Sequence, residues 1–480
     1  METSIVWMGL DLRLADNPAL QDAARAGAVV PVFVWSPAEE GGWAPGAASR
    51  WWLHRSLESL DRDLRARGSR LIIAEGPVAE TLAAAARACG AGSVYWNRRY
   101  EPAALAQEEA LGLALASAGL RAEPRAGNVL FDPASVKMLN GGPYRVFTPY
   151  WNRCGAEGEP AAPRGEPGLL RLPSRPPSGV ALKKLGLLPK LRWDAGLGKA
   201  FEPGEAGARR DFEKFLAGPI RAYAEDRNVP ASGGGSRLSP RLHFGELSVH
   251  RVWREARGGD PAAKGGFLGE LGWRDFGRHV LYHHPFTPDT PLDPRFNSFR
   301  WRRDPKGLAA WKRGGTGYPL VDAGMRELWS TGFMHNRARM VVASFLTKDL
   351  LIDWREGARW FWDTLVDADL ANNTLGWQWA AGCGADAAPF FRVFNPVEQG
   401  KRFDPRGEYT RRWVPELSAL PDRWLHAPWE APAGILSKAG VALGENYPER
   451  VVEHARARVR ALEAFAGASS KIPAAAGRSL

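Results

Sequence analysis

The sequence predicts an α/β domain with a parallel sheet flanked by helices, followed by a large all-α domain. Three observations indicate this order. Short β-branched runs alternate with Ala-rich stretches over residues 4–130. A segment rich in Pro and Gly follows, and from about residue 206 apolar residues recur at spacings of three and four. A chain of 480 residues is long enough to hold more than one such domain.

In the first part, strands and helices alternate. The strand candidates are SIVWM, VVPVFVW, LIIAEG and SVYWN, and the helix candidates between them include RWWLHRSLESLDRDLRARG and PVAETLAAAARACG. Strands that alternate with helices of this length are typical of a parallel sheet. There is no GxGxxG after the first strand and no GxxxxGK[ST] in the chain, so the usual dinucleotide site and the P-loop are both excluded.

The second part begins with a connector. The Pro and Gly content of residues 154–205 is incompatible with regular structure over most of their length. Helical periodicity then appears in ARRDFEKFLAGPIRAYAEDR, GFLGELGWRDFGRHVLYHH, LVDAGMRELWSTG and NRARMVVASFLTKDLL. The predicted organisation is an α/β domain over 1–130, a connector over 131–205, a helical domain over 206–465 and a flexible tail over 466–480.

Composition limits the class of protein. The chain has 21 Trp and a formal net charge of +11, which favours an anionic partner, nucleic acid first, over a merely basic protein. Its three cysteines are far apart and form no CxxC, so neither a zinc ribbon nor an iron–sulfur cluster is indicated and no metal is expected. Sparse cysteines and the lack of a signal sequence or long apolar run predict a cytoplasmic protein without a membrane anchor.

Polar and aromatic residues cluster in three otherwise apolar segments. Each cluster also has a plain structural explanation: Glu270 and Arg274 as a surface pair, Trp273 and Met340 as core, Asp369 as a helix cap. Their common mixture of indole, amide and carboxylate instead suits a buried planar heterocycle that needs stacking and hydrogen bonds. The segments are GFLGELGWRDFGRH, FMHNRARMVV and DADLANN.

The chain contains a series of long, ordered motifs: DLRLADNPAL, SRLSPRLHFGELS, ELGWRDFGRH, GTGYPLVDAGMRELWSTGFMHNRARM, DLLIDWREG and DLANNTLGWQW. These motifs resemble the cryptochrome/photolyase family, most closely its members that repair cyclobutane pyrimidine dimers. The resemblance spans roughly residues 4–430. It implies an α/β antenna domain, a long connector and a helical domain that binds FAD.

The resemblance also implies the flavin site. Arg339 and Asp369 are expected to pair beside the isoalloxazine, the SRLS segment to hold the diphosphate, and Asn373 to face flavin N5. The implied FAD contacts are Tyr223, Ser236, Arg237, Leu238, Ser239, Glu270, Arg274, Asn336, Arg339, Asp367, Asp369 and Asn373.

The type of DNA lesion follows from two positions. Family members that repair the (6-4) photoproduct carry a His pair where this chain has Asn336 and Met340, so the resemblance implies cyclobutane dimers. Glu270 would contact the dimer, and Trp273 and Trp379 would form the apolar walls of its pocket. These residues are the expected catalytic set: Glu270, Asn336, Met340, Trp273 and Trp379.

Two further groups are implied. An electron-transfer chain would run through Trp377, Trp354 and Trp301. Phosphates of the DNA backbone would be held by basic side chains around the pocket mouth. These are Arg227, Arg274, Arg337, Arg392 and Lys401.

The expected function is light-driven repair of pyrimidine dimers in DNA, by electron transfer from photoexcited reduced FAD, in a monomeric deoxyribodipyrimidine photo-lyase. Two alternatives stay open: a blue-light signalling cryptochrome, and a nucleotide-binding or structural protein without photochemistry. A second, antenna chromophore is also implied. Ala104 replaces the acid of folate-type members, which leaves a deazaflavin, a flavin or no antenna as alternatives.

Overall fold

The computed structural model describes residues 2–258 and 261–469. Packing divides the chain into two compact units. The first comprises Met1–Arg221, Ser236–Pro285 and Val366–Ala371, and the second comprises Ala222–Gly235, Phe286–Leu365 and Asn372–Leu480. The boundaries of the α/β domain, connector and helical domain were predicted from the composition of the sequence and not from packing, and they stay a prediction. The predicted tail from residue 466 falls partly in the last helix, and residues 470–480 lie outside the described ones.

A parallel sheet organises the first unit. Its strands are β1 (Glu2–Trp7), β2 (Gly27–Trp35), β3 (Ile72–Glu75), β4 (Ser93–Asn97) and β5 (Arg121–Arg125), in the order β3-β2-β1-β4-β5. The strands predicted from sequence correspond to β1 to β4, and every neighbouring pair is parallel. The edge strand β5 was not predicted, because RAEPR is charged, contains proline and lacks an apolar run.

Helices cover the sheet and bury its apolar side chains. They are α1 (Pro18–Ala26), α2 (Ala47–Ala66), α3 (Val78–Cys89) and α4 (Pro102–Ser117). The α1 start is set by Asn17, whose side chain accepts a hydrogen bond from the Leu20 amide at 3.1 Å, and α3 ends at Gly90 in the left-handed conformation. The core between sheet and helices includes Ile5, Val30 and Leu82, all fully buried.

The connector is mostly irregular, as its composition predicts, and it is tied to the sheet. The carbonyl of Arg171 accepts a hydrogen bond from the Val29 amide at 2.7 Å, and the carbonyl of Ile73 accepts one from the Val180 amide at 2.8 Å. Its helices are α5 (Phe147–Glu157) and α6 (Ala195–Ala200), with a 3-10 turn at Leu182–Leu185. Proline and glycine thus exclude long helices here without leaving the segment unattached.

The remaining chain is helical, as predicted. One expected helix, 208–227, is interrupted at Gly218 and Pro219, because proline has no amide hydrogen to donate. Over the described residues, no helix is both long enough and apolar enough to cross a membrane. The helices are α7 (Glu205–Ala217), α8 (Tyr223–Asp226), α9 (Ser239–His243), α10 (Val249–Arg257), α11 (Pro261–His283), α12 (Pro305–Arg313), α13 (Pro319–Thr331), α14 (Asn336–Ser344), α15 (Trp354–Thr364), α16 (Leu370–Ala381), α17 (Pro396–Phe403), α18 (Glu408–Trp413), α19 (Asp422–Leu425), α20 (Ala433–Lys438) and α21 (His454–Ser469).

A buried carboxylate joins α2 to the segment around α9. Glu246 is fully buried and accepts hydrogen bonds from the Trp52 indole at 2.9 Å, the Ser56 hydroxyl and the Gly204 amide. It also forms an ion pair of 2.8 Å with Arg241, which lies on α9 and is itself 1% exposed. This network holds the SRLSPRLHFGELS motif against the α/β layer of the first unit.

Candidate functional site

In the first unit, α11 carries the predicted carboxylate and indole. Glu270 and Trp273 are both partly exposed and lie about one turn apart, so they share a face of the helix. The Trp273 ring stacks on Phe147 of α5, with centroids 4.1 Å apart and planes at 11°. Phe147 thereby fixes the orientation of an indole that is expected to form a wall of a ligand pocket.

Asp369 is a buried carboxyl group whose pKa is strongly changed by its neighbours. It is 3% exposed, and its carboxylate lies 2.6 Å from the Arg278 guanidinium and 3.4 Å from His243 Nδ1. Burial alone would raise the pKa of Asp369, but the charge of Arg278 and the contact with His243 outweigh it and keep that pKa far below its usual range. Asp369 is therefore an ionised carboxylate in a buried setting.

Arg278 and His243 were not predicted as site residues. Arg278 follows Arg274 by four positions in the same motif, so the two residues lie on the same helix face. This spacing could have identified Arg278 as a site residue. The expected pairing of Asp369 with Arg339 stays a prediction.

The SRLS segment forms a turn that leads into α9. Arg237 has a φ of 52°, a left-handed conformation that is uncommon for a residue other than glycine. Its guanidinium lies 4.6 Å from the ring centroid of Phe201. The Ser239 hydroxyl donates a hydrogen bond of 2.5 Å to Asp367, another predicted flavin contact. The Ser239 hydroxyl is therefore used on a carboxylate, whereas the Ser236 hydroxyl accepts from the Leu238 amide at 3.4 Å and keeps its own hydrogen as a donor. The Ser236 hydroxyl and the charge of Arg237 are the groups of this turn that suit an anion such as a diphosphate.

Arg274 is buried against the main chain. Its guanidinium donates hydrogen bonds to the carbonyl of Asn128 at 2.7 Å and to the carbonyl of Leu242 at 3.2 Å, and the residue is 7% exposed. Burial and the neighbouring charge of Arg278 lower the pKa of Arg274 to about 9. Two of its five N–H donors are thus used on main-chain carbonyls. Its predicted roles as a DNA-phosphate contact and as a flavin contact stay predictions.

In the second unit, α16 carries an amide and two indoles with different surroundings. Asn373 donates one of its two side-chain amide hydrogens to the Ala358 carbonyl at 3.0 Å, which holds the amide in place and leaves its oxygen and its second N–H for other partners. Trp377 is 2% exposed, whereas Trp379 is partly exposed beside Phe394, at 6.4 Å between centroids. Two positions along a helix turn by roughly 200°, so the two indoles point to different sides.

The Trp377 ring lies in a tight aromatic setting. Its centroid is 5.0 Å from that of Phe361 and 6.1 Å from that of Trp311. A Cβ atom on Gly357 would lie 2.0 Å from Trp377 Cη2, so the indole occupies space that only glycine leaves open. Sequence reasoning missed Gly357, although it ends the DLLIDWREG motif.

The other two predicted electron carriers differ in exposure. Trp354 is 1% exposed, whereas Trp301 is partly exposed and packs on Phe299 at 4.4 Å between centroids. This ordering from buried to exposed is what a chain of indoles from the interior to solvent requires. The role itself stays a prediction.

The α14 helix begins with two predicted residues on its accessible side. Asn336 is exposed and Met340, one turn later, is partly exposed. The neighbouring Arg339 donates from Nε to the Met334 carbonyl at 2.8 Å. His335 caps the helix by accepting from the Arg337 amide, and burial together with nearby arginines lowers the pKa of His335 to about 4. The cap is therefore a neutral imidazole at pH 7.

Arg337 lies near three other arginines of the second unit, Arg227, Arg392 and Arg402. The guanidinium of Arg337 lies 4.1 Å and that of Arg402 5.1 Å from the Phe403 centroid. Burial, and then repulsion by Arg402, Arg227 and Arg392, lowers the pKa of Arg337. Mutually repelling cations of this kind favour an anion. Three of the four were predicted and Arg402 was missed. The predicted Lys401 is exposed and pairs with Glu398 at 3.0 Å.

Comparison with known proteins identifies the family. Residues 4–167 match the family described as DNA photolyase, and residues 267–467 match the FAD binding domain of DNA photolyase. A deoxyribodipyrimidine photo-lyase of Agrobacterium fabrum (strain C58) is 45% identical over 468 residues, which cover 96% of this chain and 97% of that protein. The chain belongs to the DNA photolyase family.

Other photolyase relatives agree with this. The crystal structure of a bacterial class III photolyase from Agrobacterium tumefaciens matches with a TM-score of 0.95 and 44% identity, over 98% of each chain. Cryptochrome-1 of Arabidopsis thaliana is 39% identical over 481 residues, which cover 96% of this chain and 70% of that protein. The predicted fold class is confirmed, and FAD is the cofactor of a domain with this family match.

The Arg278–Asp369 pair allows a direct test of the first unit. Arg278→Gln should lower the free energy of unfolding by about 3–5 kcal/mol, because it leaves a buried carboxylate without its cation. Adding Asp369→Asn should recover part of that loss, since no buried charge then remains unpaired. Urea unfolding of both variants provides the measurement.

The matched control is Arg65→Gln, which breaks an exposed pair with Asp61 and should cost about 1 kcal/mol or less. Equal losses for Arg278→Gln and Arg65→Gln would show that the buried pair does not hold the site.

Proposed function

We propose that the protein repairs cyclobutane pyrimidine dimers in DNA by light-driven electron transfer, as a photolyase that acts as a monomer in the cytoplasm. The arrangement of α16 carries the proposal. Its buried Trp377 lies among aromatic rings, its partly exposed Trp379 follows two positions later, and Asn373 lies on the preceding turn. One helix therefore holds groups suited to electron supply, to a flat substrate and to a flavin ring. The family match supports the same function.

The flavin contacts of the first unit would act in two ways. The SRLS turn would hold the diphosphate through hydroxyl groups and the nearby charge of Arg237. Asp369 stays ionised beside Arg278, so it can accept a hydrogen bond from a ring N–H without being protonated itself. When bound and excited by light, FAD supplies the electron that splits the dimer.

In the second unit, Asn373 would set the protonation of the flavin. With one of its two N–H groups on the Ala358 carbonyl, the Asn373 amide is held in place, and its oxygen would accept from N5; an acceptor there favours a protonated N5. This agrees with a reduced flavin as the working form. Trp377, Trp354 and Trp301 would restore that form by passing electrons inward.

The substrate would be a flipped dinucleotide. Glu270 would accept from base N–H groups, with Trp273 and Trp379 as stacking surfaces, and Asn336 and Met340 would line the pocket without the His pair used on (6-4) photoproducts. Phosphates would bind Arg337 and the three arginines near it, which would account for the basic excess as affinity for any DNA backbone.

A repair assay on two lesions tests the proposal. Protein with chemically reduced FAD is illuminated with one duplex that contains a thymine cyclobutane dimer and another that contains a (6-4) photoproduct, and the products are separated by chromatography. We expect restored thymines from the first duplex only, and only in the light. If neither lesion is lost, while a separate sample with oxidised FAD shows light-dependent reduction of the flavin, the result would instead indicate a signalling cryptochrome.

The two indoles of α16 should separate in function. Trp377→Phe should block photoreduction of oxidised FAD, because phenylalanine is far harder to oxidise, yet preserve repair once the flavin is reduced chemically. Trp379→Phe should leave photoreduction intact and weaken binding of the dimer by about 1 kcal/mol, through a smaller stacking surface. Flash absorption and a lesion-binding titration measure the two effects.

Equal loss of flavin and stability in both variants would assign the indoles to packing alone. If both variants photoreduce like the parent, Trp377 is not the electron carrier next to the flavin.

A further inference from the structure

Lys348 is a buried ammonium group outside the site described above. It is 1% exposed and lies in a single π-turn, Phe345–Asp349, that follows α14. Among the described residues no carboxylate lies within ion-pair distance of it; the adjacent Asp349 is bound to His454 at 2.6 Å. A buried cation without an anion is unfavourable, and an apolar residue of similar size would avoid the problem. Both this charge and the π-turn are features that occur often at functional sites.

The ammonium joins two points of the main chain. Lys348 Nζ donates to the carbonyl of Ala381 at 3.3 Å and to the carbonyl of Phe390 at 3.2 Å, and it lies 3.5 Å from the centroid of the Phe390 ring. Ala381 is the last residue of α16, whose terminal carbonyls have no partner within the helix. Lys348 therefore fastens both ends of the segment 382–389, which we call the stapled loop.

The stapled loop is built so that its ends need fastening. Gly382 has a φ of 81° and Asp386 a φ of 46°, so the chain reverses through two left-handed residues. Cys383 is fully buried within it. Beyond the loop, Phe391 is 64% exposed and Arg392 is exposed as well. The loop thus connects a helix end to a strongly exposed segment.

The stapled loop also separates two residues of the proposed substrate site. Trp379 precedes it on α16, and Arg392 follows it. Any change in the loop alters the spacing between the stacking surface and the phosphate contact. Spacing errors of this kind weaken recognition even when every contacting side chain is intact.

We infer that Lys348 is a positioning residue for lesion binding: by holding both ends of the stapled loop, it sets the spacing between Trp379 and Arg392. The inference rests on the proposed function, because the loop matters only if those two residues contact damaged DNA. The loop geometry itself does not depend on that function.

The strength of the staple should depend on pH. Burial lowers the pKa of Lys348 to about 7. The titratable group that faces the ammonium is the thiol of Cys383, and burial raises the pKa of that thiol, so it is neutral throughout the physiological range. Two residues of α21 bind the neighbouring Asp349. His454 contacts the Asp349 carboxylate, and Arg460 donates to the Asp349 main-chain carbonyl. Loss of the Lys348 proton should therefore replace charge-assisted hydrogen bonds by weaker neutral ones as pH rises through about 7.

Thiol labelling tests the staple without any reference to repair. In the full chain, Cys383 becomes reactive when the stapled loop opens, whereas Cys154, equally buried in α5, serves as internal reference. Mass spectrometry then gives the ratio of labelling at the two sites. We expect this ratio to rise about tenfold between pH 6 and pH 8.5 in the parent protein, as the charge-assisted bonds are lost. In Lys348→Met it should be high at both pH values.

Binding of a duplex with a thymine dimer tests the positioning role. At pH 6.5, Lys348→Met should bind about tenfold more weakly than the parent, and the difference should shrink at pH 8.5. Lys312→Met is the matched control. It removes one positive charge that contacts the Trp360 ring at 4.9 Å, and it should label and bind like the parent.

The outcomes are distinct. A labelling ratio that does not change with pH in the parent, and is the same in Lys348→Met, would overturn the staple. A pH-dependent ratio with unchanged lesion affinity in Lys348→Met would overturn the positioning role. If Cys383 responds as expected but the parent binds no dimer, the proposed function has failed and the positioning role fails with it, while the staple itself stands.

Discussion

An ionised carboxylate that is removed from water has to be held by a cation, and Asp369 satisfies this condition through Arg278. Asp369 immediately precedes α16, so the ion pair fixes the chain where that helix begins. Asn373, Trp377 and Trp379 follow along the same helix. Two residues of α15 hold side chains of α16 in place. Gly357 leaves room for the Trp377 ring because it has no side chain, and the Ala358 carbonyl accepts a hydrogen bond from Asn373.

Other buried charges also need partner groups, and they find them in main-chain carbonyls or an aromatic ring instead of an opposite charge. Arg274 has its donors on two main-chain carbonyls, and Lys348 uses two carbonyls and an aromatic ring. The cluster that includes Arg337 differs, because its members repel one another, although Arg337 also donates to the Asn228 side chain. The chain therefore has single buried cations that its own carbonyls hold, which stabilise structure, and a group of mutually repelling cations, which suits an anion such as DNA. Net charge alone does not distinguish the two kinds.

The sequence was sufficient to predict the fold class and strands β1 to β4, because apolar, β-branched runs are typical of buried strands. It did not predict β5, because this edge strand is charged and has no apolar run. The site residues came from resemblance to the family, and that route missed Arg278, Arg402 and Lys348. Partnerships such as Arg278 with Asp369 join residues far apart in the chain, so no local pattern reveals them. The burial of Arg274 is likewise a property of the packed unit, and no local pattern in the sequence predicts it.

In the proposed repair reaction, photoexcited flavin lends an electron to the dimer and regains it, while the residues of this chain hold flavin and dimer in place and keep the flavin reduced. The number of dimers repaired per protein molecule, followed under steady light together with the absorption spectrum of the flavin and with no added electron donor, tests it most directly. We predict many dimers repaired per protein, none in the dark, and a spectrum that still shows reduced flavin. Repair that stops at about one dimer per protein, with the flavin left oxidised, would contradict the claim, because the electron would then be consumed and not returned.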